Sequence, residues 1–360
     1  MTSTNSEQTK WRGYAIHDNK KWDEFKVIDF QPKQPGDYDI DVKIAYCGVC
    51  GSDVHTLTGG WGDAILPLIV GHEIAGTVVK VGPKVQSIKV GDRVGVGAQV
   101  CSCLECENCK SDNENYCPQM LDTYNGKYPN GDIAHGGYST AIRAHERFVF
   151  PIPDGLDLEQ VAPLFCAGVT TFSPLKRHGA GPGKTVGIAG VGGLGHYAIQ
   201  FAKALGADKV VVFSHSANKK EDALSLGADE FVMTTDEKAL EAQTGKIDLF
   251  LNTADVANKS HGGIPLPTLL KTLRLHGRLI IVGIPDDKFE FGTMELMGNG
   301  GMIGATHIGS KKEVLEMLDL VQKKGIKGII QSYPMKDVAK AVKSVKENTA
   351  RYRIVLKVDI

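Results

Sequence analysis

The feature that most constrains the fold is a glycine-rich turn between a short apolar run and a helical pattern. The run TVGIAG leads into GVGGLG at residues 190–195. The stretch GLGHYAIQFAKALGA then repeats apolar residues at helical spacing as far as Gly206, a residue type that commonly ends helices. A strand, a tight turn and a helix in this order predict the opening of a doubly wound α/β domain.

Four further apolar runs follow this turn: KVVVF, EFVMTT, IDLFLNT and RLIIVGI. Continuous runs of this kind are typical of parallel strands that are buried on both faces of a sheet. We therefore predict the α/β fold class, in which residues 164–304 form a doubly wound parallel-sheet (Rossmann) domain.

The segments before this domain have a different pattern. DYDIDVKIAYCG, EIAGTVVKVG and VGDRVGVGAQV alternate polar and apolar residues or carry β-branched residues between glycines, which favours short strands. A chain of 360 residues is too long for one ordinary core, so we predict a second, β-rich and barrel-like domain. It comprises residues 1–163 and 305–360, because the terminal run RYRIVLKVDI is expected to pack back on it, and it carries a polar lobe at residues 97–120.

Composition argues against several classes of partner. The formal charge of −1 gives no basic surplus for nucleic acid or an anionic membrane. The chain has no apolar run long enough to span a membrane, and its first residues lack the apolar segment of a secretory signal. Five of its eight cysteines lie between Cys101 and Cys117, which favours metal binding in a reducing compartment. We therefore expect a cytoplasmic protein that acts on a small molecule.

Four of these cysteines have the spacing of a metal site: Cys103, Cys106, Cys109 and Cys117. Four thiolates complete a tetrahedral zinc site and leave no position for a substrate, so we predict a structural role. The ion would replace the apolar core that the polar lobe lacks. An iron–sulfur cluster is the competing interpretation, because closely spaced cysteines also bind iron. Cys101 and Cys47 are expected to be inert thiols.

The glycine-rich turn also predicts a ligand. The residues that would let the backbone and the helix N-terminus approach a pyrophosphate are Gly190, Gly192, Gly193, Leu194 and Gly195. This arrangement predicts dinucleotide binding.

The end of the following strand indicates which dinucleotide is bound. KVVVF ends in Ser214-His215-Ser216, followed by Lys219, and no carboxylate appears before Glu221. An acid here would hold the ribose 2′-OH of NAD, whereas hydroxyls and a cation suit the 2′-phosphate of NADP(H). We therefore predict NADP(H). The alternative is that the lysines form a solvated helix face and NAD is held loosely.

A second candidate site lies in CGVCGSDVHTLTGGWGDAILPLIVGHE, residues 47–73. Its chemically active side chains are Cys50, Ser52, His55, His72 and Glu73. A thiol and an imidazole suit zinc, and a hydroxyl beside a second imidazole suits a proton path. Taken alone, the same pattern also fits a buried cysteine and surface histidines. Cys166, in APLFCAGVTTFSPL, would add a second thiolate.

Taken together, these motifs resemble those of the zinc-dependent medium-chain alcohol dehydrogenases, most of all the cinnamyl alcohol dehydrogenase branch with its fungal NADP-dependent members. The matching motifs are CGVCGSDVH, GHEIAGTVVKVG, GDRVGVG, CLECENCKSDNENYC, LFCAGVTTFSPL, GVGGLGH and RYRIVLKV. The resemblance extends over nearly the whole chain. It implies a GroES-like first domain and a homodimer joined through the nucleotide domains, with GMIGATHI as an edge strand.

The resemblance also assigns metal ligands residue by residue. It implies that Cys50, His72 and Cys166 hold a catalytic zinc, which is the established ligand set of alcohol dehydrogenases. Glu73 would lie against this site and coordinate transiently. With the structural site, two zinc ions per chain are expected.

Further roles follow from the same resemblance. Ser52 would pass the alcohol proton towards the cofactor ribose and His55, and Asp53 would orient the site. Thr170 would lie near the nicotinamide. Plant members usually carry threonine where this chain has Ser52, a change that keeps the hydroxyl. They also carry tryptophan in the substrate pocket where Asp122 aligns, so broader aldehyde use is favoured here.

The predicted function is hydride transfer between NADPH and aromatic (cinnamaldehyde-like) or medium-chain aliphatic aldehydes. Reduction is the expected direction, because the cellular NADPH pool is usually reduced. One alternative is an NAD(P)-dependent polyol dehydrogenase of the same superfamily, in which Glu73 would replace a thiolate. A second alternative is a non-catalytic sensor that binds zinc and NADPH.

Overall fold

The computed structural model describes residues 10–254, 264–285 and 288–360, and the chain divides into two compact units. The first unit comprises Met1–Cys166, Ser310–Leu318 and Ile330–Ile360, and the second comprises Ala167–Gly309 and Asp319–Ile329. The predicted domain limits at residues 164 and 305 lie close to these bounds, whereas residues 319–329 group with the second unit. Within the described ranges, no helix is both long enough and apolar enough to cross a bilayer.

The strands lie along the described chain in the following order. They are β1 (Trp11–Ala15), β2 (Lys26–Phe30), β3 (Asp39–Val49), β4 (Glu73–Val81), β5 (Arg93–Val96), β6 (Gln99–Cys101), β7 (Leu121–Asp122), β8 (Gly126–Lys127), β9 (Ile133–Ala134), β10 (Ala141–His145), β11 (Val149–Pro151), β12 (Thr185–Ala189), β13 (Lys209–Ser214), β14 (Glu230–Met233), β15 (Ile247–Asn252), β16 (Leu273–Ile281), β17 (Met302–Ala305), β18 (Ile330–Pro334) and β19 (Arg353–Lys357).

Helices connect many of these strands. They are α1 (Gly51–Thr58), α2 (Glu107–Lys110), α3 (Leu158–Val161), α4 (Ala167–Arg177), α5 (Gly195–Ala204), α6 (Lys220–Ser225), α7 (Glu237–Glu241), α8 (Leu266–Thr272), α9 (Met294–Met297), α10 (Lys311–Lys324) and α11 (Val338–Lys346). Short 3-10 turns occur at Asn19–Lys21, Glu114–Tyr116, Glu146–Phe148, Ala162–Phe165, Ala217–Lys219 and Met335–Asp337.

The first unit is built around a mainly antiparallel sheet. Its strand order is β11-β5-β4-β3-β19-β18, with β10 paired to β3. The alternating run in DYDIDVKIAYCG forms β3, whose side chains Ile40, Val42 and Ile44 are buried in the core. β19 pairs with β3 and joins the C-terminal segment to the N-terminal strands, as the sequence predicts.

The second unit contains a wholly parallel sheet with the order β14-β13-β12-β15-β16-β17. This is the strand order of a doubly wound dinucleotide-binding domain. The five apolar runs of the sequence become β12 to β16, and their buried valine, isoleucine, leucine and phenylalanine side chains explain why each run is almost continuously apolar. The predicted fold class is confirmed.

Candidate active site and metal centres

Four potential metal ligands converge in the first unit. The ligand atoms of Cys50, His72, Glu73 and Cys166 all lie within 4.8 Å of one another, and all four residues are buried. Cys50 caps the N-terminus of α1, and His72 and Glu73 lie at the start of β4. Cys166 follows the 3-10 turn Ala162–Phe165. The fold therefore brings together residues from three separate segments of the chain.

The geometry of this cluster fits a zinc ion. The Sγ atoms of Cys50 and Cys166 are 3.8 Å apart, and two thiolates on a tetrahedral zinc with bonds of about 2.3 Å would be about 3.8 Å apart. His72 Nε2 is buried and has no hydrogen-bond partner among the described residues. Because buried polar atoms are rarely left unsatisfied, this nitrogen points to a missing metal partner.

The protonation of these groups reflects their burial and their neighbours. A hydrogen bond with Cys166 lowers the pKa of Cys50 well below its usual value, so the pair holds a thiolate. Burial alone would lower the pKa of His72, but the carboxylate of Asp53 and the thiolate of Cys50 raise it to about 9. A metal ion would displace the proton from His72 and from the remaining thiol, since ligands bind in their deprotonated forms.

Glu73 is paired with an arginine that sequence reasoning did not single out. Nη2 of Arg353 donates to Oε1 of Glu73, and both side chains are buried. Burial raises the pKa of Glu73 to about 7, although the Arg353 guanidinium opposes the shift. Oε2 of Glu73 has no partner among the described residues. Arg353 is the first residue of β19, and a cation directly before the apolar run IVL is the signal that could have found it.

The predicted relay residues lie on α1 beside the ligand cluster. Ser52 Oγ is 3.6 Å from Cys50 Sγ, and His55 is three residues further on, so both side chains lie on one face of the helix. The His55 ring stacks on Trp61 at 4.9 Å with an interplanar angle of 3°. Asp53 is fully buried and accepts hydrogen bonds from the backbone N–H groups of Cys50 (2.9 Å) and Gly71 (3.2 Å).

Cys103, Cys106, Cys109 and Cys117 form a second cluster around α2. Their Sγ–Sγ distances are 3.5 Å for 103–117, 3.6 Å for 106–109, 3.8 Å for 106–117 and 4.0 Å for 103–109. These values bracket the separation of about 3.8 Å expected for thiolates on one tetrahedral zinc. Backbone N–H groups of Glu105 and Cys106 lower the pKa of Cys103 to about 6, whereas burial raises that of Cys109 to about 12.

The other two cysteines belong to neither group. Cys101 is half-buried and its thiol donates to the Ser102 carbonyl oxygen at 3.7 Å. Cys47 is buried, and burial raises its pKa well above the usual value. None of the eight cysteines forms a disulfide.

The glycine-rich turn of the second unit has the geometry of a phosphate cradle. Gly190 has a φ of +90°, which favours glycine, and a Cβ on Gly195 would collide with the Gly190 carbonyl oxygen. A Cβ on Gly192 would meet no neighbour within 4 Å, which leaves room for a pyrophosphate. Gly193 and Leu194 lead directly into α5, which begins at Gly195.

The residues predicted to select the cofactor lie at the end of β13. Ser214 is its last residue, and its Oγ accepts a hydrogen bond from the Ser216 N–H at 3.2 Å. His215 is exposed, and Lys219 ends the 3-10 turn that precedes α6. Burial lowers the pKa of Lys219. Thr170 is buried within α4, and its role beside the nicotinamide remains a prediction.

Comparison with known proteins agrees with this fold and these clusters. Residues 36–154 match the alcohol dehydrogenase GroES-like domain, and residues 193–323 match the zinc-binding dehydrogenase domain. NADP-dependent alcohol dehydrogenase 6 of Saccharomyces cerevisiae is 42% identical over 352 residues, which cover 96% of each chain. A probable mannitol dehydrogenase of Medicago sativa is 44% identical over 331 residues, which cover 91% of this chain and 90% of the relative.

A solved structure extends this similarity to the whole fold. A cinnamyl alcohol dehydrogenase of Sorghum bicolor superposes with a TM-score of 0.91 at 34% identity, over 97% of this chain and 98% of that one. The chain therefore belongs to the family of zinc-binding alcohol dehydrogenases, a class of oxidoreductases that act on alcohols. The predicted resemblance to the cinnamyl alcohol dehydrogenase branch is confirmed, while the roles of individual site residues remain predictions.

Proposed function

We propose that the chain is an NADPH-dependent reductase of aldehydes whose catalytic zinc is held by Cys50, His72 and Cys166. The observation that carries the proposal is the buried Nε2 atom of His72, which lacks a partner among the described residues in a cluster with two thiols 3.8 Å apart. Two thiolates balance the charge of a divalent ion. When bound, zinc would act as a Lewis acid on the substrate oxygen, and NADPH would supply the hydride.

The proton that completes the reduction is assigned to α1. Ser52, whose Oγ lies 3.6 Å from Cys50 Sγ, donates its hydroxyl proton to the oxygen that gains charge. His55, half-buried on the same helix face, restores that proton from solvent. Its stacking on Trp61 holds the imidazole plane in one orientation. Asp53 fixes the backbone at Cys50 and Gly71, and so orients the ligands on either side.

The preference for NADPH is supported by the residues that follow β13. Residues 214–220 carry two lysines and no carboxylate that would repel a 2′-phosphate. Burial lowers the pKa of Lys219 and so disfavours its charged ammonium. The negative charge of a nearby 2′-phosphate would oppose this effect and stabilise the ammonium. The yeast relative named for NADP dependence supports the same choice.

Aldehydes of the cinnamyl type are the proposed substrates, because the superposed Sorghum protein is a cinnamyl alcohol dehydrogenase. Polyol oxidation is a second candidate, since a relative of similar identity is named a probable mannitol dehydrogenase. The polyol variant in which Glu73 replaces a thiolate is disfavoured by the Cys50–Cys166 pair and by the bond between Glu73 and Arg353.

Location and assembly are also proposed. Eight free thiols suit the reducing cytoplasm. β17 is at the edge of the parallel sheet, and exposed apolar side chains lie on it and near it, at Met302 and Met297. An apolar edge of this kind suits pairing with a second copy of the chain.

Steady-state turnover tests the proposed function. Zinc-loaded protein is given NADPH with cinnamaldehyde, benzaldehyde or hexanal, and NADP⁺ with mannitol, with NADH as the matched control cofactor. We expect NADPH oxidation with the aldehydes at a kcat/KM at least about 10-fold above that with NADH. Absence of NADPH oxidation with every aldehyde would contradict the proposal, and faster turnover of mannitol would favour the polyol candidate.

A further inference from the structure

The carboxylate of Asp53 connects the two chain segments that carry Cys50 and His72. Its Oδ2 accepts from the Cys50 N–H, and its Oδ1 accepts from the Gly71 N–H. Oδ1 also lies 3.8 Å from His72 Nδ1. If Nε2 of His72 binds metal, Nδ1 is the nitrogen left to face this carboxylate, and partners of that kind fix the orientation of a metal-binding histidine.

A buried tyrosine holds the same carboxylate from the other side. The Tyr138 hydroxyl donates to Asp53 Oδ2 at 2.9 Å, and the Tyr138 side chain is fully buried. The Tyr138 backbone N–H donates to the Val70 carbonyl oxygen at 2.9 Å. Gly71 has a φ of +104°, and a Cβ there would collide with the Tyr138 ring. Tyr138 therefore contacts both the carboxylate and the segment that leads to His72.

The two carboxylate oxygens of Asp53 contact different groups. Oδ2 accepts from the Cys50 N–H and the Tyr138 hydroxyl, whereas Oδ1 accepts from the Gly71 N–H and faces His72. The Tyr124 side chain is also hydrogen-bonded to this carboxylate. Loss of the Tyr138 hydroxyl would leave Oδ2 with the Cys50 N–H and let the carboxylate plane turn. We propose that Tyr138 is a positioning residue of the catalytic metal site, which acts on His72 through Asp53. This inference rests on the proposed zinc ligands.

The competing role for Tyr138 is packing alone. Its ring lies 6.5 Å from that of Phe25 within the core of the first unit. Tyr138→Phe keeps the ring and removes only the hydroxyl, so it separates the two roles. Tyr14→Phe is the matched control, because Tyr14 is also buried in this core and its hydroxyl makes no hydrogen bond to the described residues.

Cadmium-113 NMR of the full chain tests the proposal with a readout that does not depend on turnover. Chelator-buffered cadmium fills both clusters, and the number of thiolate ligands separates their resonances. For Tyr138→Phe we expect a shifted resonance at the Cys50–His72–Cys166 site, and half-filling at a free cadmium concentration about 10-fold higher. The four-cysteine site serves as an internal reference and should not change. Tyr14→Phe should leave both sites unchanged.

Combination with Asp53→Asn decides whether Tyr138 acts through Asp53. Asp53→Asn should weaken the same site by about 10- to 100-fold, and the added Tyr138→Phe change should then have no further effect. The inference would be overturned if adding Tyr138→Phe to Asp53→Asn weakened cadmium binding by the full factor seen for Tyr138→Phe alone. It would also be overturned if the Tyr138→Phe protein matched the unmodified chain in both resonance and cadmium affinity. A Cys166→Ser protein that keeps the cadmium resonance of the Cys50–His72–Cys166 site unchanged would instead contradict the assigned zinc ligands. Failure of the ligand assignment can therefore be told apart from failure of the role of Tyr138.

Discussion

At the scale of single residues, the candidate site depends on buried charges that stabilise one another. Glu73 and Arg353 are both almost fully buried, and each is the other's hydrogen-bonded counterion. Gly48 makes this possible, because a Cβ there would collide with the Glu73 carboxylate. Breaking a buried pair leaves one charge without compensation, which costs more than the pair itself contributes.

The Arg353 pair gives a prediction about stability. Arg353→Met should lower the free energy of unfolding by about 3 kcal/mol or more, because it leaves the Glu73 carboxylate buried beside thiolates. Arg353→Met with Glu73→Gln should recover more than half of that loss, since no charge then remains. Chemical unfolding of zinc-loaded protein measures both variants. A double variant that is no more stable than Arg353→Met would contradict this account.

The side chain at position 214 gives a prediction about the cofactor. Ser214→Asp should reduce kcat/KM for NADPH by about 10-fold or more, because a carboxylate would repel the 2′-phosphate. The value for NADH should change much less. Ser214→Asn, which is neutral and of the same size as Asp, is the control and should retain NADPH preference. Equal losses for both cofactors in Ser214→Asp would refute the assignment of this position.

At the scale of elements, the parallel strands were predictable because each is buried on both faces and its apolar run is continuous. β12 and β13 begin at the first residue of TVGIAG and KVVVF, respectively. The glycine turn was predictable because its strand and helix flank it in sequence. The four-cysteine lobe was predictable because all its thiols lie within 15 residues of sequence, from Cys103 to Cys117.

Contacts between distant segments could not be predicted in the same way. Glu73 and Arg353 are separated by 280 positions and Tyr138 and Asp53 by 85, so no local pattern joins them. The pairing of Cys50 with Cys166, 116 positions apart, came from resemblance and not from spacing. Glu73 and Arg353 lie close together because β4 and β19 both pair with β3.

The lobe around α2 gives a prediction about metal content. Cys106→Ser should lower the zinc content from about two to about one ion per chain, because three thiolates bind the structural ion less tightly. The lobe should also become more sensitive to proteolysis, since the metal replaces an apolar core. Cys101→Ser is the control and should retain about two ions. Elemental analysis that finds equal zinc in both variants would exclude the four-cysteine assignment.

At the scale of the whole molecule, each of the two units supplies part of the proposed chemistry. The first unit carries both clusters of metal ligands, and the second carries the glycine turn and the end of β13. The family assignment covers both units, because the two matched domain models lie at residues 36–154 and 193–323.

Assembly gives a prediction at this scale. If two copies pair through β17 as proposed, Met302→Lys should shift the chain from dimer to monomer in sedimentation velocity, because a buried ammonium at the interface would be unpaired. Val90→Lys is the control, since Val90 is 58% exposed in the first unit and Met302 is 47% exposed. A Met302→Lys protein that sediments like the unmodified chain would contradict pairing through β17.

The central claim is that zinc held by Cys50, His72 and Cys166 is required for NADPH-dependent aldehyde reduction. The most direct measurement is zinc content together with cinnamaldehyde turnover in the unmodified chain and in Cys166→Ser. We predict about two zinc ions with turnover in the former, and about one ion with turnover reduced at least about 100-fold in the latter. A Cys166→Ser protein that retains both zinc ions and undiminished turnover would contradict the claim.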